Sequence, residues 1–127
     1  MAKNTVKIGG RVFALAFTLD AMANMMDIIP EFDLGKINVF SRSPKYLPDM
    51  VRCLAQQGEL LEGRKLNVDR AWFGAHMSPS PVGAAKVQVA VLNAIADGLK
   101  METEEDEERG EIDVTLEEIK KNDSPDA

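Results

Sequence analysis

Cysteine and histidine each occur once in this chain, as Cys53 and His76. One cysteine excludes an intramolecular disulfide framework and any cysteine-based structural zinc site. One histidine excludes paired-histidine metal motifs, and any Ser-His-Asp or Cys-His catalysis would have to pass through that single imidazole. Aromatic residues make up 6% of the chain, too few for a base-stacking platform. The formal net charge is −6 and no Lys/Arg cluster is present, so the phosphate contacts that drive nucleic-acid binding have no source. No continuous run approaches the ~18 apolar residues expected of a membrane-spanning helix. Gly9-Gly10 lacks the Lys-Ser/Thr pair and the following helix of a phosphate loop. The acidic run Glu102 to Glu108 lacks the alternating ligands and central glycine of a calcium loop. The sequence therefore assigns no catalytic residue, no cofactor and no metal, and it predicts neither a nucleic acid nor a membrane as partner.

What remains is 127 residues with an apolar share of 45%. That is room for one domain, and a chain of this size buries roughly two-thirds of its unfolded surface without needing a metal or disulfide. The charge is unevenly placed. Residues 1–100 hold 12 Lys+Arg and 9 Asp+Glu, whereas residues 101–127 hold 3 and 12, so a mildly basic body precedes a strongly acidic tail. Lys3, Lys7 and Arg11 before the apolar Val12–Leu19, with Ala21-Met22-Ala23 after it, have the outline of a short signal peptide. Asp20 interrupts that outline, and a hairpin strand accounts better for the same residues.

Residues 5–17 read as a β-hairpin turning at Gly9-Gly10. Phe13, Leu15 and Phe17 share the face expected to be buried, with Val12, Ala14 and Ala16 on the other. Thr18 is placed to cap a first helix, with Asp20 in its first turn and Leu19, Met22, Met26 and Ile29 along one stripe; Pro30 ends it. Residues 31–41 are ambiguous, with Phe32, Ile37 and Phe40 as possible anchors of a short helix. Ser43-Pro44 reads as a helix start, followed by the core stripe Leu47, Met50, Val51 and Leu54. That helix ends at Gly58 or runs on to Leu61, before an exposed Gly63-Arg64-Lys65 loop. Asn67 or Asp69 opens a short helix carrying Trp72 and Phe73.

Ser80-Pro81 begins the longest helix, Val82 to about Lys100. Val82, Ala85, Val89, Leu92, Ala96 and Leu99 form a seam of near-heptad spacing, and Ala84, Val87, Val91 and Ile95 a second apolar flank. A helix apolar on two sides is central in a bundle or shared with another subunit, so self-association is expected. The acidic stretch after Met101 is expected to be a solvated, flexible linker. Beyond Gly110, Ile112, Leu116 and Ile119 form a stripe too short to hold a helix unaided.

The ordinary reading of His76 is a helix-terminal surface residue, and that of Cys53 a small buried hydrophobe. Met22, Met25 and Met26 read first as core filling, although methionines also make adaptable binding surfaces. The expected architecture is mainly α with a small N-terminal β-hairpin (α+β). A helical bundle over residues 1–100 covers the hairpin, and residues 101–127 form a disordered acidic tail.

One signal remains in the order of parts. A Val-Lys-Ile-Gly-Gly-Arg-Val-Phe hairpin leads into Leu-Ala-Phe-Thr-Leu-Asp-Ala-Met; helices follow, then Ala-Asp-Gly-Leu-Lys-Met, an acidic run and Asp-Val-Thr-Leu-Glu-Glu-Ile-Lys-Lys. Across Thr5 to about Ile29 and Leu92 to Lys121 this resembles the tail assembly chaperones of long-tailed bacteriophages and prophages of Gram-positive bacteria. Ala16 stands where that family commonly has a basic residue, and the middle of the chain matches by helix order only. The resemblance implies a non-enzymatic protein of the bacterial host cytoplasm, absent from the mature virion. Such a protein coats the tape measure protein, keeps its apolar helices soluble, and recruits tail tube protein through a longer, frameshifted form. The apolar helix faces, rather than the resemblance, assign partner binding to Met22, Met26, Val87, Val91, Ile95, Ile112, Leu116 and Ile119. The alternatives are a minor tail or connector protein of the virion, a small helical adaptor unrelated to phage, and a small enzyme using Cys53 and His76.

Overall fold

A computed structural model describes the backbone of residues 3–108 and the side chains of residues 3–100. Strands β1 (Asn4–Ile8) and β2 (Arg11–Leu15) form an antiparallel hairpin in which Val6 faces Phe13 and Ile8 faces Arg11. Gly9 and Gly10 turn it with φ of 59° and 80°, the positive values a two-residue hairpin loop requires. The strand ends at Leu15, two residues before the expected boundary. Phe13 and Leu15 are buried as the alternation predicts, but so is Ala14 on the opposite side.

The cause is helix α3 (Leu47–Leu61), which lies along the outer edge of β2. Ala14 donates its backbone N–H to Glu59 Oε2 at 2.8 Å, and Ala16 donates its own to the Leu54 carbonyl at 3.1 Å. The edge groups that would otherwise seek another strand are thereby satisfied by a helix. Gly58 makes the approach possible, because a Cβ there would collide with the Ala14 carbonyl.

Helix α3 is the centre of the core: Met50, Val51, Cys53, Leu54 and Ala55 are fully buried. The stripe read from the sequence is confirmed, and the helix runs through Gly58 to Leu61. Its start is corrected. Ser43 and Pro44 form a turn, with Ser43 Oγ accepting the Lys45 N–H, and the helix begins at Leu47 with Pro48 in its first turn. Proline costs no hydrogen bond at either place, so Ser-Pro alone does not distinguish the turn from the helix.

Helix α1 (Leu19–Ile28) is capped by Thr18, whose Oγ1 accepts the Ala21 N–H at 3.2 Å. The same hydroxyl donates to Gln57 Oε1 on α3 at 2.8 Å, which fixes the rotation of α1. Ala21, Met25 and Ile29 are consequently the buried residues, while Leu19 is 77% and Met26 58% exposed. Of the stripe Leu19, Met22, Met26 and Ile29, only Ile29 is fully buried, Met22 is half-buried, and Leu19 and Met26 are on the surface. Two apolar stripes run along this helix, and the cap contact selects the other one.

The ambiguous segment forms one 3₁₀ turn (Leu34–Lys36) and the short helix α2 (Ile37–Ser41), anchored by buried Ile37 and by stacking of Phe32 on Phe40. Helix α4 (Arg70–His76) is capped by Asp69, whose carboxylate accepts the Trp72 N–H at 2.9 Å. It brings buried Phe73 edge-on to Phe13, ring centres 5.1 Å apart.

Helix α5 (Pro81–Glu108) starts where Ser80 Oγ accepts the Gly83 N–H at 3.1 Å. Its buried residues are Val87, Val91, Ala94 and Ile95, packed against β1 and α3. Of the near-heptad seam, Val82, Ala85, Val89, Ala96 and Leu99 are exposed, and Leu92 is half-buried against the core. The α5 backbone is helical eight residues beyond the expected end at Lys100. Glutamate is a good helix former, and like-charge repulsion along a helix costs only tenths of a kcal/mol per pair, so an acidic run does not by itself stop a helix.

Candidate interaction surfaces

One side of α5 completes the core and the other is exposed. Val82 is 71%, Val89 55% and Leu99 43% exposed, and Ala85 and Ala96 lie exposed between them. At 1.5 Å per residue this stripe is about 26 Å long. Its first half forms a shallow groove lined by Pro81, Val82, Ala85, Lys86 and Val89, with Lys86 its single charged residue. Scattered apolar residues on a surface are ordinary, but a contiguous row on one helix face marks a contact site. A second, smaller row lies on α1, where Leu19 and Met26 are exposed and Met22 is half-buried between them.

Between α5, the start of α3 and the end of α4 lies a cleft of about 360 Å³. Four prolines, Pro44, Pro48, Pro79 and Pro81, line it together with Leu47 and Met77, and Arg42 and Gln88 add polar groups. Gln88 is held in place, since its Nε2 donates to Ser41 Oγ at 3.1 Å. The cleft opens beside Ala85, so it is continuous with the outer stripe.

These positions sort the residues assigned from the sequence. Met26 is on the surface and Met22 partly so, and the two lie on one face of α1. Val87, Val91 and Ile95 are core residues, 6%, 0% and 4% exposed, and cannot meet a partner in the folded chain. The surface residues of α5 belong to the near-heptad seam, and the second apolar flank supplies the core. The sequence held two clues to the correct side. Lys86, Asn93 and Lys100 flank Val82, Val89 and Ala96 at matching intervals, marking a wet face. Gly98 marks the opposite face, where a side chain would strike the Phe17 carbonyl. Ile112, Leu116 and Ile119 lie outside the described residues.

No arrangement for chemistry is found among the described residues. Cys53 is fully buried, and burial pushes its thiol up to about 11, far from the thiolate a nucleophile needs. His76 is exposed, stacked on Trp72 with ring centres 4.1 Å apart, and its Nδ1 lies 2.9 Å from the Trp72 carbonyl oxygen. No group of three or more metal-ligating side chains occurs among the described residues. Averaged over 18 residues, Pro81–Lys100 has a mean hydropathy of 1.3, enough by length and composition for a membrane crossing, which a search for continuous runs does not reveal. Lys86, Gln88, Asn93 and Asp97 interrupt it, and its other side is the core contact just described.

Against protein-family models, curated proteins and solved structures, the chain gives no match.

Proposed function

We propose that this chain is a non-enzymatic assembly chaperone that shields apolar helices of a larger partner. The observation that carries the reading is the outward stripe of α5, Val82 to Leu99, on a body whose core is already complete. A groove that accepts an amphipathic helix is a recurrent mode of protein recognition, and its affinity comes from apolar burial. One helix face is small beside the ~800 Å² per partner of a stable complex, so each contact is weak and exchangeable. Met22 and Met26 on α1 supply a second, adaptable surface.

With the order of sequence motifs, this favours a phage tail assembly chaperone. In that role the chain coats the tape measure protein in the cytoplasm of the bacterial host and is displaced by tail tube protein. The same face would let copies associate side by side along such a partner. Co-expression with a tape measure protein is the direct test. This chain is expected to keep that protein soluble, and Val89→Lys to abolish the effect while leaving the fold intact. Insoluble tape measure protein in the presence of the wild-type chain would refute the reading. Recovery of this chain from purified virions would identify it as a structural tail component instead.

A further inference from the structure

The outer face of α5 is apolar along its centre and basic along one edge. Lys86 and Lys100 lie 14 residues apart on the same side of the stripe, about 21 Å along the helix axis. Both are exposed, and neither lies within ion-pair distance of another described residue, although the charge of Lys100 is felt by Asp97. Asn93, midway between them, is exposed and uncharged. Lys7, exposed on β1, lines with Lys86 a groove between the hairpin and α5, so the basic edge widens toward the sheet. Among the residues whose side chains are described, the carboxylate on this side is Asp97, and it is engaged: it accepts from Asn4 Nδ2 at 2.8 Å and lies 3.7 Å from Lys3 Nζ. The opposite edge of the stripe, at Gln88 and Leu92, has no charged residue of α5 and merges at Gln88 into the proline-lined cleft, whose one charged lining residue is Arg42 on the far wall.

We infer that this face takes an amphipathic helix with carboxylates along one edge of its apolar stripe, set against Lys86 and Lys100, and its other edge over the cleft. In paired helices, the residues beside the apolar seam choose the partner and its orientation through opposite charges. A helix with lysines on that edge would be repelled by Lys86 and Lys100, and a helix with an uncharged edge would leave them unused. The inference rests on the helix-shielding reading and adds to it the charge of the helix that is shielded.

Two synthetic amphipathic peptides of about three heptads test it. They share one Leu/Ala seam and differ only in carrying Glu or Lys along one edge. Binding to the full chain is followed by fluorescence anisotropy. The Glu-edged peptide is expected to bind about tenfold more tightly near 50 mM salt, and the difference to shrink severalfold near 500 mM, where screening is strong. Lys86→Glu with Lys100→Glu should reverse the preference. Lys45→Glu, on the α2–α3 turn, has the same sign of charge change and should leave the ratio near its wild-type value. Equal binding of both peptides at low salt, or a similar loss of preference with Lys45→Glu, overturns the inference while the docking face stands. Binding of neither peptide overturns the docking face, and the helix-shielding reading with it.

Discussion

Glu59 and Arg64 form a two-pronged ion pair: Arg64 Nε donates to Glu59 Oε1 at 2.8 Å, and its Nη2 to Oε2 at 3.1 Å. The same Oε2 accepts the Ala14 N–H, so one carboxylate ties the loop after α3 to the edge of β2. Arg64 holds the Glu59 carboxyl below its usual range, and the Ala14 bond adds to this against the desolvation of a side chain that is almost fully buried. A carboxyl whose folded pKa is depressed stabilises the fold fully above its unfolded pKa, and that contribution is lost as pH falls through the folded value. Stability should therefore be flat near neutrality and decline below about pH 4.5. Glu59→Gln should cost about 1–3 kcal/mol at pH 7 and flatten that decline, as measured by urea denaturation across the pH range.

Gly58 is expected to be the least replaceable residue of α3. Alanine adds one methyl group that would meet the Ala14 carbonyl, which is backbone and cannot move aside as a flexible side chain does. Gly58→Ala should destabilise by at least ~2 kcal/mol in spite of alanine's better helix propensity. A neutral or stabilising effect in thermal melting would show that α3 stands further from β2.

Val89 and Val91 are two residues apart on α5 and should respond oppositely to the same change. Val91→Lys buries an unpaired charge at a fully buried site and should cost several kcal/mol, unfolding the chain or nearly so. Val89→Lys lies at an exposed site and should change stability by less than ~0.5 kcal/mol. Circular dichroism melting curves of the two variants check the assignment of inner and outer faces without any partner.

Cys53 should not react with thiol reagents at pH 8 until the chain unfolds. Its thiol is both inaccessible and held protonated by burial, to about 11. Ellman's reagent should therefore report the global unfolding rate, and prompt labelling of the native protein would contradict the packing around α3.

Much of this fold is legible in the sequence, because most of its signals are local. Thr18 and Asp69 as helix caps, Gly9-Gly10 as a hairpin turn, and Leu47, Met50, Val51 and Leu54 as a core stripe each depend on residues a few positions apart. The errors concern which way an element faces. On α1 and α5 two apolar stripes of similar strength compete, and contacts with distant residues decide between them: Thr18 with Gln57 for α1, and the hairpin and α3 for α5. Periodicity gives the presence of a stripe but not its neighbour. Lys86, Asn93 and Lys100, all exposed, mark the outer face of α5 more directly than the regularity of the seam does. Burial of Ala14 has no local signal, since it follows from a helix forty residues away closing the edge of the strand.

Because α5 gives Val87, Val91, Ala94 and Ile95 to the interior, its outer row takes shape only when the whole body folds. An unfolded chain presents no such row. Any occupant of that face therefore favours the folded population by mass action, by about 2.7 kcal/mol when its free concentration is a hundred times its dissociation constant. A rise in melting temperature is thus a label-free assay for occupants, and lysate fractions or candidate peptides can be ranked by it before any has been identified.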